Sequence, residues 1–126
     1  TAAGITTVLG HAIGARYEKE NGAINAIVLP HVLRFNADAA AAGMGKVAAA
    51  LGLPFSDPAT QLQQAIETVQ AIFRALGVPS RLRDVGVPRE DLGELAQIAM
   101  GDWFLRGNPR PVRSAGELQK IMEQAW

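Results

Sequence analysis

Asp57-Pro58-Ala59-Thr60-Gln61-Leu62-Gln63-Gln64-Ala65-Ile66-Glu67-Thr68-Val69-Gln70-Ala71-Ile72-Phe73-Arg74-Ala75-Leu76-Gly77-Val78-Pro79 reads as a helix with both ends marked. Asp57 is a side-chain acceptor placed to cap free amides, and Pro58 suits the first turn, where its missing N–H is no loss. Leu62, Ile66, Val69, Ile72, Phe73 and Leu76 recur at helical spacing, which predicts one core-facing stripe. Gly77 ends the helix and Pro79 forbids its continuation.

The same punctuation repeats in both directions. Residues 37–51 form an alanine-rich helix closed by Gly52 and Pro54. Residues 22–35 form another, with Asn21 as its cap and apolar residues on most sides, so it is the predicted central element. Pro30 lies inside it and should kink it. Residues 4–16 make a first helix, where Gly10 and Gly14, four apart, would let another backbone come close. Pro88 opens a fifth helix whose inward face is Leu92, Leu95, Ala96 and Ala99. After the rigid loop Gly107-Asn108-Pro109-Arg110-Pro111, Ser114 and Glu117 have the spacing of a capping box. That box opens a last helix burying Leu118, Ile121, Met122 and Ala125. Alanine occurs 22 times against three Tyr and Trp together, and no segment alternates as a strand would. The fold class is all-α, one unit of about six helices over residues 1–126.

Composition narrows the function. The 126 residues are 48% apolar, so the chain can bury a core and is not a disordered segment. Twelve basic and twelve acidic residues cancel, giving no electrostatic reason for a nucleic acid or an anionic membrane as partner. Without cysteine there are no disulfides or thiolate metal sites. No stretch has the length of a membrane span, and no basic segment precedes an apolar run as in a secretory leader. The expectation is a soluble, cytoplasmic domain.

Residues with catalytic chemistry are few. The two histidines, His11 and His31, stand twenty apart with no carboxylate at metal-ligand spacing to either. Gly43-Met44-Gly45-Lys46-Val47-Ala48 has the loose spacing of a dinucleotide turn, but an alanine tract precedes it and no strand flanks it, so it is read as part of a helix. His31, after Pro30 in the most apolar segment, is expected to be a hydrogen-bonded core histidine. His11 has small neighbours that clear space around it; the residues alone favour a structural role and leave a chemical one open.

The order of Gly4-Ile5-Thr6-Thr7-Val8-Leu9-Gly10-His11-Ala12-Ile13-Gly14, Asn21-Gly22 and Leu29-Pro30-His31-Val32-Leu33-Arg34-Phe35-Asn36 resembles the C-terminal, dehydroquinate-synthase-like domain of the iron-containing (group III) alcohol dehydrogenases. Maleylacetate reductases belong to the same superfamily. Leu76-Gly77-Val78-Pro79, Asp91-Leu92, Asn108-Pro109-Arg110-Pro111-Val112 and the terminal Ala125-Trp126 extend the likeness across the whole chain. The family carries a His-x-x-x-His pair on the first helix and a later His-Gly. The first histidine of the pair and the His-Gly histidine are two of its metal ligands, and Thr7 and Asn21 occupy those positions here; the resemblance places the remaining ligands, an Asp and a His on an earlier helix, before Thr1. The second histidine of the pair survives as His11, which the resemblance implies to be catalytic, beside the nicotinamide and moving the alcohol proton.

The resemblance further implies a partner: an N-terminal nucleotide-binding α/β domain, lying before Thr1, that would hold NAD or NADP in an intact parent protein. A homo-oligomer is compatible with this reading. The chain itself is expected to bind no cofactor and no metal, since one imidazole beside a neutral hydroxyl and a neutral amide makes a poor site. Alone it should be inactive. The alternative is a helical structural or interaction module that kept the fold and lost the catalysis.

Overall fold

Three residues join the first two helices, and the way those helices touch sets the architecture. The computed structural model describes residues 4–126, so the expected boundary at Thr1 lies outside the described residues. Helix α1 (Ile5–Tyr17) ends with Glu18 in the left-handed region at φ 52°, and Lys19 N donates to Gly14 O at 3.2 Å. The chain then turns directly into α2 (Asn21–Phe35). The two helices run antiparallel with Asn21 against Gly14 and Asn25 against Gly10, positions where any Cβ would collide with the amide side chains. With its amide nitrogen turned to α1, Asn25 donates to Thr6 O at 3.0 Å and to Asn21 O at 3.2 Å. Both glycines admit polar side chains of α2, and at Gly14 backbone also comes close, as the sequence suggested, since a Cβ there would stand 3.1 Å from Lys19 O.

Helix α2 is the central element, as expected from its apolar surface: Ile24, Ile27, Val28 and Val32 are buried, and it packs on α1, α4 and α6. It runs continuously through the buried Pro30. Helices α3 (Ala41–Ala50) and α4 (Pro58–Ala75) pair with each other, α5 (Leu92–Met100) packs on α1 and α6, and α6 (Ala115–Ala125) returns against α2. Short 3-10 turns occupy Leu82–Val85, Arg89–Asp91 and Trp103–Gly107. The described residues contain six α-helices and no strand. The main core joins α1, α2, α5 and α6 through residues such as Ile5, Leu9, Ile13, Leu95, Leu118 and Met122, with Leu82, Val87 and Leu105 supplied by the turns.

Several helix ends differ from the sequence reading. Glu20, not Asn21, is the cap of α2, because the Asn21 side chain lies over Gly14. Helix α3 begins at Ala41 rather than 37, since Asn36 turns its side chain into the interior and residues 36–40 form a turn. Helix α5 begins at Leu92, after a 3-10 turn that follows Pro88. At α6 no capping box forms: Glu117 Oε2 accepts from Arg113 N at 2.7 Å, one residue before Ser114. Helix α4 has the expected ends, with Asp57 Oδ1 accepting from Thr60 N at 3.0 Å and Gly77 at φ 72°. Its stripe is not the expected core face, however. Only Ala65 and Ile66 are buried on it, while Ile72 and Leu76 are 44% and 72% exposed, because α4 touches the rest mainly through α2 and α3.

One polar knot is closed inside the apolar core. Asn36 and Asn108 are the buried polar residues among those described. Asn108 Nδ2 donates to Asn36 Oδ1 at 2.7 Å and to Arg110 O at 2.6 Å, while Asn108 Oδ1 accepts from Asn36 Nδ2 at 3.2 Å and from Ile5 N at 3.3 Å. Gly4 allows this approach, as a Cβ there would stand 2.8 Å from Asn108 Oδ1. Arg110 closes the loop over α2, donating to Phe35 O at 3.2 Å with its guanidinium 4.1 Å from the centre of the Phe35 ring. Asn108→Ala leaves buried donors and acceptors unpaired at three chain segments, so it should destabilise by about 3 kcal/mol. Denaturant unfolding followed by helical circular dichroism measures this; a loss below about 1 kcal/mol would show that the knot is not essential.

Candidate functional site

Helix α1 and the segment that follows α5 leave an open cleft of about 830 Å³ between them. Val8, Ala12 and Ala15 line it from α1, and Ile98 and Ala99 from α5, so its floor is apolar. His11, Arg16 and Asp102 are its ionisable groups, and Trp103 stands at its edge, 69% exposed.

His11 is brought to this cleft by helical register. Val8, Ala12 and Ala15 share its side of α1, while Leu9 and Ile13 point into the core. Its Nδ1 lies 2.7 Å from Asp102 Oδ2, and the Phe104 ring meets it edge-on with centroids 5.7 Å apart. The other carboxylate oxygen of Asp102 accepts from Phe104 N at 3.0 Å and thereby starts the Trp103–Gly107 turn. His11 and then the Phe104 amide hold the Asp102 carboxyl below the usual carboxylate range. Trp103 stacks on Phe104 at 4.2 Å, so the imidazole rests against an aromatic ledge.

At the far end of the cleft, Arg16 pairs with Glu94 at 2.7 Å and with Asp91 at 3.5 Å. Tyr17 donates its hydroxyl to the same Asp91, and burial together with that carboxylate pushes its pKa up to about 12. Tyr17 therefore remains a neutral donor at any ordinary pH.

The candidates from the sequence fall in different places. His11 is in the cleft. Thr7 lies one helical turn before it, half-buried, and Asn21 is exposed at the start of α2. His31 is half-buried on α2, in a separate groove with Arg34, Phe35, Arg110, Glu117 and Lys120. Among the described residues its ring has no hydrogen-bond partner, which corrects the expectation of a bonded core histidine. The Gly43–Ala48 pattern lies within helix α3 and forms no phosphate turn. Asp102 and Trp103 were not singled out from sequence. Asp102 is 91 residues from His11, so no spacing rule connects them. No group of three or more His, Asp or Glu side chains able to hold a metal occurs among the described residues, and no helix there is long and apolar enough to cross a membrane.

The family model "Fe-containing alcohol dehydrogenase family, C-terminal" matches residues 1–126. This chain belongs to that family. It is 36% identical over 125 residues to lactaldehyde reductase of Escherichia coli K12, covering 98% of this chain and 32% of the relative. To the NAD-dependent methanol dehydrogenase of Bacillus methanolicus it is 29% identical over 124 residues, covering 97% and 32%. The crystal structure of a 1,3-propanediol oxidoreductase superposes with a TM-score of 0.91 at 29% identity, covering 98% of this chain and 32% of that one. The chain thus spans about a third of the length of the relatives it matches. The all-α family domain expected from the sequence is the one found.

Burial, reinforced by Arg34 and Arg81, pushes the His31 imidazole below the usual histidine range. The unfolded chain therefore takes up a proton at His31 that the folded chain resists. Its stability contribution is full above pH ~6.5 and is lost as the pH falls below that value. His31→Gln should flatten the acid side of the stability profile, measured as urea midpoints against pH. An unchanged slope would place the acid sensitivity elsewhere.

Proposed function

We propose that this chain forms the helical wall of the catalytic cleft in an NAD(P)-dependent oxidoreductase acting on small alcohols or aldehydes, with His11 exchanging the substrate proton. The observation that carries this is a single imidazole fixed at the edge of an apolar cleft, on a chain of the Fe-containing alcohol dehydrogenase family. Oxidation of an alcohol removes a hydride from carbon and a proton from oxygen. A nicotinamide bound by the remaining part of the protein would supply the hydride acceptor; His11 takes the proton from the alcohol oxygen and gives it back in the reverse reaction. Val8, Ala12, Ile98 and Ala99 offer an apolar floor to the short carbon chain, with Trp103 at its edge.

The residues of this chain do not fit the metal that the family name implies. A hydroxyl at Thr7 and an amide at Asn21, the latter packed on Gly14, are neutral oxygen donors where a first-row divalent ion favours imidazole or carboxylate. We assign no step to a metal. Substrate polarisation falls to positioned polar groups and to His11. The same two residues also favour the second reading, a helical module without catalysis.

His11→Gln in the intact protein should lower kcat by about 10²- to 10⁴-fold with KM little changed; full activity would remove His11 from the reaction, and inactivity of the unmutated protein toward short alcohols would favour the structural module. Metal analysis of the dialysed intact protein should find no stoichiometric iron or zinc. Stoichiometric metal lost on Thr7→Ala or Asn21→Ala would overturn that assignment.

A further inference from the structure

We propose that Asp102 is a positioning residue that fixes the ring orientation and tautomer of His11, leaving Nε2 as the bare nitrogen that meets the substrate. This rests on the proton-exchange role given to His11 above. A carboxylate accepts hydrogen bonds and cannot donate one, so the 2.7 Å contact requires Nδ1 to carry the hydrogen. The remaining nitrogen, Nε2, then holds the lone pair and serves as proton acceptor. The reverse tautomer would turn an N–H toward an alcohol O–H and could take nothing from it.

The carboxylate is itself held. Its second oxygen accepts from Phe104 N at 3.0 Å, within the turn that leads to the buried Asn108. Phe104 also stands edge-on to the imidazole and limits its rotation. Asp102 therefore links the cleft to the loop anchored by Asn108, and one carboxylate both starts the turn and orients the ring. The pair is half-open to solvent, with His11 44% and Asp102 19% exposed. An exposed contact of this kind adds little to stability, so the orientation of the ring is read apart from the cap that Asp102 gives the turn.

An isosteric change tests this. In Asp102→Asn the amide oxygen can keep the bond to Phe104 N, which leaves NH₂ facing Nδ1. An NH₂ donates, so Nδ1 becomes the acceptor and Nε2 carries the hydrogen. Long-range ¹H–¹⁵N spectra of the histidine ring in the intact protein read the tautomer directly. The unmutated protein should show protonated Nδ1 and bare Nε2, and Asp102→Asn should invert them. In the same variant kcat should fall by about 10²- to 10⁴-fold with KM little changed, and Asp102→Glu, acceptor-only again, should recover both tautomer and part of kcat. Protonated Nε2 in the unmutated protein, or an inverted tautomer with undiminished kcat, would overturn the assignment. Full activity in His11→Gln would instead remove the catalytic reading and leave the tautomer result standing.

Discussion

The paired amides of Asn36 and Asn108 are the constraint on which the rest of the structure depends. Three segments distant in sequence end at this point: the first amide of α1, the end of α2, and the loop before α6. Apolar packing is non-directional and would allow α1 and α2 to slide or rotate over the other helices. Buried amides with fixed partners do not allow it, because any shift leaves a donor or acceptor unpaired where water cannot reach. The knot also fixes the loop that begins at Asp102. The position of the carboxylate beside His11 is thus set by an interaction on the other side of the turn.

The helices were legible in the sequence, and the packing between them less so. Local chemistry writes helix ends: Asp57-Pro58 and Gly77 did what capping physics requires. Asn21 and Ser114 did not, and Asn36 turned inward instead of opening α3. Asn21 is engaged by Gly14 and Asn36 by Asn108, while Glu117 bonds the amide of Arg113. For Asn36 the winning partner is 72 residues away, which no window of a few residues records, whereas Glu117 is taken by the amide one residue before the one the cap requires. The α4 stripe shows the same limit. Its periodicity announces a helix with an apolar face, but says nothing about whether a neighbour covers that face.

The site was half legible. His11 could be found because it is one of two histidines, lies among small residues and stands in register with a family pattern. Its orienting carboxylate could not, since a pairing across 91 residues exists only after α1 packs on α5 and the following turn. The cleft joins an apolar floor, a fixed imidazole and an exposed indole, which suits a small substrate with one reactive oxygen. Neutral oxygens at Thr7 and Asn21 separate this chain from the histidine-rich pattern it otherwise resembles, and under the proposed function orientation of the substrate falls to His11 and its partner.

The most direct measurement is a crystal structure of the intact protein with a nicotinamide nucleotide and an alcohol bound. The expected result puts the alcohol oxygen at about 2.6–3.2 Å from His11 Nε2, with Asp102 on Nδ1 and the reacting carbon facing the nicotinamide. An alcohol bound outside this cleft, or its oxygen on a metal held by Thr7 and Asn21 with His11 turned away, would contradict the central claim.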